Sequence, residues 1–266
     1  MSQSRHPGES RDPREPLAAR VDPGSGEARP VLSLSKGRDD GARIVELRQY
    51  TLHPGRRDAL IELFEREFIE TQEAAGITLL GTFRDLDDAD RFVWLRGFCD
   101  MAARGAALPA FYGGPVWAAH RNAANATMLD SDDVLLLRPA WDGAALSVPT
   151  QPRAPRGETA LPAGVLHALV LHLKAPAVPE LLSACRALPA AGARVLAWYA
   201  SEAAPNNFPR LPVREGEPVL LGLALFDDAP VGEGWARAPD AQLQPWLARP
   251  SQHLRLAPTA RSALHA

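Results

Sequence analysis

VELRQYTLHPG, residues 45–55, reads as one strand and the turn that ends it. Side chains alternate along a strand with period two, so Val45 and Leu47 share one face while Glu46, Arg48 and Tyr50 share the other. Pro54-Gly55 turns the chain into a helix over 56–75, on which Leu60, Leu63, Phe64 and Phe68 form a single apolar stripe and Glu62 and Arg66 sit four apart on the outer side. Gly76 stops that helix. Strands follow at 77–84 and 91–98, joined by DLDDAD, whose acids favour a solvated turn. A helical segment over 101–126, interrupted near Pro109 and at Gly113-Gly114-Pro115, leads to a strand at 134–138, with Ser131-Asp132-Asp133 as the turn before it. The order is βαββαβ, the ferredoxin-like unit.

The remaining sequence repeats the pattern without repeating the residues: strand 165–174, helix 178–188, strands 194–200 and 219–226, helix 240–247 and strand 253–257. NNFPRLPVREGE, residues 206–217, has no counterpart in the first half and reads as a loop folding over a barrel mouth. SVPTQPRAPRGETALPA, 147–163, replaces periodicity with prolines and polar residues in the manner of a linker. Residues 1–42 are rich in Pro, Gly, Ser and mixed charge, offer too little apolar surface to offset ordering entropy, and are expected to be disordered. The fold class is α+β: two tandem ferredoxin-like domains, 43–146 and 164–266, forming an α/β barrel. Two such sheets placed face to face bury each other's open side. One chain then supplies both halves as an intramolecular pseudo-dimer, with a homodimer as a further option.

Composition narrows the function classes. The chain has 266 residues, 46% of them hydrophobic and 23% charged, in keeping with a globular protein that buries a sizeable core. Net charge is −3 and the arginines are interspersed with acids, so no basic patch marks a nucleic-acid or anionic-lipid partner. No apolar run approaches the roughly 20 residues that span a bilayer, and no apolar signal segment opens the chain, which points to the cytoplasm. Cys99 and Cys185 have no metal or redox spacing and read as small buried apolar residues. There is no GxSxG, HExxH, Walker-type or GxGxxG motif, and Asp85, Asp87, Asp88 and Asp90 lack the glycine and terminal glutamate of a calcium loop; no metal and no cofactor is expected.

Chemistry-bearing residues concentrate in the first half. If Val45 and Leu47 pack beneath the helices, Glu46, Arg48 and Tyr50 point into the barrel, where Arg48 needs a carboxylate or an anionic ligand. An ion pair to Glu46 or across the strands is the plainer reading. The strand 91–98 aligns Phe92, Trp94, Arg96 and Phe98 on one face, an aromatic surface carrying a guanidinium that can sandwich a planar ligand, although such stripes are commonly core. In FYGGPVWAAHRNAAN, residues 111–125, Tyr112 and Trp117 read as sealing one end of the barrel or packing between halves, and complete the candidate binding set Arg48, Tyr50, Trp94, Arg96, Tyr112 and Trp117. His120 has the reference pKa of a general base but no sequence-adjacent acid to orient it. His53 precedes Pro54 and reads as turn structure.

Residues 45–55, FVWLRGFCDMAAR (92–104) and 111–125 together resemble the NIPSNAP family, a branch of the dimeric α/β barrel superfamily. The resemblance covers about 43–139 closely and the rest loosely, and implies tandem ferredoxin-like domains in an α/β barrel. For function it implies a small planar or anionic organic ligand bound between Arg48, Tyr50, Trp94 and Arg96. Other branches of the superfamily imply a cofactor-independent monooxygenase or isomerase, with an arginine stabilising a phenolate or enolate and His120 moving protons. A third implication is a non-enzymatic interaction protein, which calls for an exposed apolar patch.

Overall fold

The strand Ile44–Leu52 (β1) is buried on both faces along nearly its whole length in the computed structural model, which describes residues 42–147, 152–188, 190–227 and 229–266. A strand covered on both sides needs a layer on each. Those layers come from a closed, fully antiparallel barrel of eight strands in the order β1-β3-β2-β8-β5-β7-β6-β4 and from helices packed outside it. The other strands are Thr78–Asp85 (β2), Arg91–Phe98 (β3), Met128–Pro139 (β4), Val165–His172 (β5), Val195–Ser201 (β6), Val219–Phe226 (β7) and Gln252–Pro258 (β8). Closure leaves no sheet edge unpaired, and one chain completes the barrel.

The pairing registers of the two halves run in parallel. Ile44 faces Phe98 and Val45 faces Leu137, as Val165 faces Phe226 and Leu166 faces Leu256. The two seams match as well: Pro139 faces Tyr199 where β4 meets β6, and Pro258 faces Phe83 where β2 meets β8.

Three buried apolar groups assign the faces. One draws on all eight strands and on no helix, including Val45, Leu47, Leu95, Leu137, Leu166, Leu221 and Leu256, and is therefore the barrel interior. Each such side chain contributes roughly 1.5–3 kcal/mol when fully buried. The second joins the opposite faces of β1–β4 to the helices Arg57–Leu63 (α1), Ile69–Ala74 (α2), Met101–Tyr112 (α3) and Pro115–Asn125 (α4). The third does the same for β5–β7 with Pro179–Arg186 (α5) and Ala229–Leu243 (α6). This reverses the expected orientation of β1: Val45 and Leu47 fill the barrel, and Glu46, Arg48 and Tyr50 lie beneath the helices.

Other departures from the sequence reading have local causes. Strand β4 begins at Met128, six residues early, because Asp130 and Asp133 pair with the end of β1 across register shifts near Thr51. The helix expected over 240–247 is instead Ala229–Leu243, with only a short turn at Gln244–Trp246. Gly232 and Gly234 disfavour a helix there, but buried Trp235 and Leu243 anchor it, and a Cβ on Gly232 would stand 2.3 Å from His167 Nε2. Helix α3 continues through Pro109 and stops at Gly113. Cys185 is buried as expected, whereas Cys99 is exposed because it follows the last residue of β3. Within the acidic turn Asp85 is buried and paired with Arg91.

The segment expected to be disordered, 1–42, lies outside the described residues apart from Ala42, which is buried. Of the expected linker, 148–151 also lie outside them. Its described part is docked: Arg153 donates to Arg261 O at 2.6 Å, to Leu79 O at 3.0 Å and to Glu73 at 2.7 Å. Among the described residues no helix is long and apolar enough to cross a membrane.

Candidate functional site

Glu46 is fully buried, and three guanidiniums converge on it. Arg48 Nη1 donates to Oε2 at 2.7 Å, Arg96 Nε to the same oxygen at 2.8 Å and Arg104 Nε to Oε1 at 2.7 Å. All three arginines are at most 1% exposed. Three positive charges and one negative leave an excess of two, taken out of water. Desolvation of that kind costs several kcal/mol per ion unless partners compensate it.

Each element delivers its residue for a readable reason. Glu46 and Arg48 are consecutive on the helix-facing side of β1, and the antiparallel register sets Arg96 directly across from Glu46 and Trp94 across from Arg48. Arg104 lies on α3 three, four and seven residues before Ala107, Leu108 and Phe111, so it shares their buried face. That helix starts cleanly because the Asp100 carboxylate accepts from Ala103 N at 2.7 Å. Above the cluster, the helix that begins as α1 changes to a π turn over Phe64–Phe68 before continuing as α2, a distortion common at functional sites. It sets Phe64 edge-on to Trp94 at 4.9 Å.

Neutral groups complete the shell. Arg48 Nε donates to Tyr50 Oη at 3.1 Å, and Arg96 Nη1 reaches Gln72 Oε1 and Tyr112 Oη, both at 3.3 Å. The guanidinium carbons of Arg48 and Arg96 stand 5.4 and 5.1 Å from the Trp94 ring, within cation–π range. Arg104 Nη1 donates to Asn206 Oδ1 at 3.0 Å and Asn207 Oδ1 at 2.6 Å, both on the loop between β6 and β7. Among the described residues, Arg104 Nη2 and Trp94 Nε1 are buried without a hydrogen-bond partner.

The electrostatics follow from these contacts. Burial pushes the Glu46 carboxyl up, but Arg96, Arg48 and Arg104 together outweigh it and hold the group far below the usual carboxylate range. Glu46 is thus held as an anion near neutral pH and is a weak base. Burial raises the Tyr50 phenol, and burial lowers the Arg104 guanidinium, whose charge is the least well compensated of the three.

Of the residues singled out from sequence, Arg48, Tyr50, Trp94, Arg96 and Tyr112 come together here, under the helices and outside the barrel interior. Trp117 packs edge-on against Tyr112 at 4.9 Å and is one step removed. His120 is not brought in: it faces Glu67 at 3.7 Å and the Phe68 ring. His53 is part of the turn after β1, as expected, with its carbonyl accepting from Arg56 N. Sequence reading missed Arg104, Gln72, Asn206 and Asn207.

The 206–217 loop, expected over a barrel mouth, packs Phe208 on the helix side of the sheet. It folds onto α3, where Asn207 Nδ2 donates to Met101 O and Phe208 stacks on Tyr112 with ring centroids 6.0 Å apart. Beside it a cleft of about 710 Å³ opens at the β4–β6 seam, lined by Leu136, Pro205, Val213, Leu182, Arg138 and Glu202, among others. Leu136 pairs with Glu46 in the sheet, so the cleft adjoins the arginine cluster.

Residues 45–142 match the model of the NIPSNAP family. Among solved structures, a candidate monooxygenase from Fusobacterium nucleatum is 8% identical with a TM-score of 0.50, over 85% of this chain and 98% of its own. An anthrone oxidase-like protein is 15% identical with a TM-score of 0.50, over 86% of this chain and 97% of its own. A NIPSNAP domain protein from Burkholderia xenovorans is 18% identical with a TM-score of 0.35, over 37% of this chain and 96% of its own. No curated protein matches the chain. At these identities the full-length likenesses speak for the mixed α/β barrel fold alone. The likeness to the NIPSNAP family thus lies in residues 45–142, the part of the chain that carries the arginine cluster.

Proposed function

We propose that this chain is a tandem of two ferredoxin-like halves, and that the first half binds a small organic anion at Arg48, Arg96 and Arg104 while the second serves to close the barrel. Cytoplasmic location is part of the same proposal. The observation that carries it is the contrast between the halves. By register, Glu46 and Arg48 correspond to His167 and Leu169, and Arg96 and Trp94 to Ala224 and Gly222. Among the described residues, the second half shows no cluster of this kind between its sheet and its helices. A buried ionic cluster is a poor stabiliser compared with apolar packing. Its confinement to one half argues for recognition, and the two excess positive charges argue for an anion. The aromatic walls from Trp94, Tyr50 and Tyr112 suit a planar body.

Thermal denaturation in graded benzoate, with neutral benzamide as its isostere, tests this. Benzoate is expected to raise the midpoint with concentration and benzamide to leave it in place. Equal responses, or none, contradict the proposal.

A second reading, oxidation of a bound anion, is favoured by one observation: three guanidiniums converge on one buried carboxylate whose pKa they hold down, so the cluster suits stabilising a phenolate or enolate rather than generating one. The likeness to proteins described as a candidate monooxygenase and as anthrone oxidase-like fits that chemistry. Dioxygen would oxidise a bound anthrone-type anion to the quinone, one oxygen atom entering the product and the other leaving as water with one proton taken up from solvent. Oxygen uptake with anthrone, abolished by Arg96→Met, supports it; no uptake above buffer rejects it.

A further inference from the structure

We infer that the amide oxygens of Asn206 and Asn207 occupy the seat of the ligand's oxyanion, so that anion binding and docking of the 203–217 loop on α3 exclude each other. This rests on the reading of the arginine cluster as an anion site.

Arg104 is the guanidinium with the poorest compensation. Its Nε is committed to Glu46, its Nη1 meets two side-chain amide oxygens at 3.0 and 2.6 Å, and its buried Nη2 has no partner. Two acceptor oxygens presented together to one guanidinium are what a carboxylate or phosphate offers, with charge added. The loop thus satisfies the arginine with neutral dipoles where an anion would satisfy it more strongly. Because Arg48, Arg96, Arg104 and Glu46 are at most 1% exposed, nothing reaches them while the loop is down.

The loop is bonded within itself, so it can be displaced without losing its own structure. Within it, Asn206 N donates to Glu215 Oε1 at 2.6 Å, Asn206 Nδ2 to Leu211 O at 2.8 Å, Phe208 N to Asn206 Oδ1 at 3.1 Å and Leu211 N to Phe208 O at 3.0 Å. Its far end is fixed, since Arg214 pairs with Asp133 and Glu217 and its N–H donates to Val134 O. It is held to α3 by the Arg104 contacts, the Asn207 bond to Met101 O and the Phe208–Tyr112 stack, and Phe208, Leu211 and Val213 pack against the helix-side apolar group, so displacement has to expose them. Close approach depends on Gly105, where a Cβ would stand 2.8 Å from Asn207 Nδ2. The neighbouring cleft, with Pro205 and Val213 of this loop in its wall, gives the displaced segment and the ligand body a place to go.

Loop docking then taxes anion affinity, and weakening the dock removes the tax. The test uses the full chain, benzoate as the probe, and trypsin, which can cut after exposed Arg210. Benzoate at saturation is expected to speed cleavage after Arg210 and to raise amide exchange over 203–217, the reverse of ordinary ligand protection. Gly105→Ala, which pushes Asn207 away while leaving the loop intact, and the double variant Asn206→Ala with Asn207→Ala are each expected to bind benzoate on the order of tenfold more tightly. Asn206→Asp, which supplies the anion internally, is expected to lose binding. If benzoate binds the wild type while loop cleavage and exchange stay level or fall, the exclusion is wrong and the anion site stands. If benzoate binds neither the wild type nor Gly105→Ala, the anion site itself is wrong and the inference falls with it.

Discussion

Arg104 Nε meets Glu46 Oε1 at 2.7 Å, and both side chains are wholly buried. That contact ties α3 to β1 and gives Glu46 its third positive neighbour. Glu46→Gln leaves three buried guanidiniums without a counter-charge, and breaking a buried pair from one side costs about 3–5 kcal/mol. Urea denaturation of the variant is expected to show a loss of that size, partly restored by added benzoate. A loss below about 1 kcal/mol would mean that water already compensates the arginines.

Replacing the whole cluster has the opposite sign. The quadruple variant Glu46→Leu, Arg48→Leu, Arg96→Leu and Arg104→Leu imitates the apolar interface of the second half. By the precedent of buried ionic groups exchanged for apolar ones it is expected to be as stable as the wild type or more so, by up to about 4 kcal/mol, and to bind no anion. Marked destabilisation would make the cluster a structural requirement.

Stability should depend on pH through Glu46 in a defined direction. Its folded-state pKa is depressed, so the unfolded chain binds more protons as pH drops below the usual carboxylate value of 4.5. The stability it contributes is complete above that value and drains away as pH falls toward the folded-state pKa. Asp85, raised by burial, pulls the other way, but it is common to wild type and Glu46→Gln. The difference in unfolding free energy between the two proteins is therefore expected to shrink as pH falls from 6 to 2. A constant difference across that range would contradict the depressed value.

Much of the barrel was legible because period two marks its strands, yet period two cannot say which face is inward. Both faces of β1 are covered, so a polar set and an apolar set are all the alternation yields. The missing information lay in the second half: Leu166, Ala168 and Val170 on β5 pack with Val45 and Leu47, and an apolar set common to every strand is the barrel interior. Arg104 was overlooked although it lies a helical turn ahead of Ala107 and Leu108, a spacing that buries it. Asn206 and Asn207 read only as part of a loop over a barrel mouth, because their target, about 100 residues earlier in the chain, is set by barrel closure and leaves no local trace.

The second strand carries a prediction about the fold itself. A register shift between Leu79 and Gly81 lets the Phe83 ring lie over Gly81, where a Cβ would come within 2.4 Å of it. Gly81→Ala overpacks the barrel interior and is expected to cost about 1–3 kcal/mol. A thermal midpoint unchanged from wild type would show that the ring has room to move.

The proposed anion site is open to one direct measurement, a titration with benzoate followed by NMR of arginine Nε–Hε groups and leucine methyls. Perturbation centred on Arg48, Arg96 and Arg104, with Leu47 and Leu221 inside the barrel unmoved, is the predicted result. Shifts at Leu47 and Leu221 with the arginine signals unchanged would contradict it.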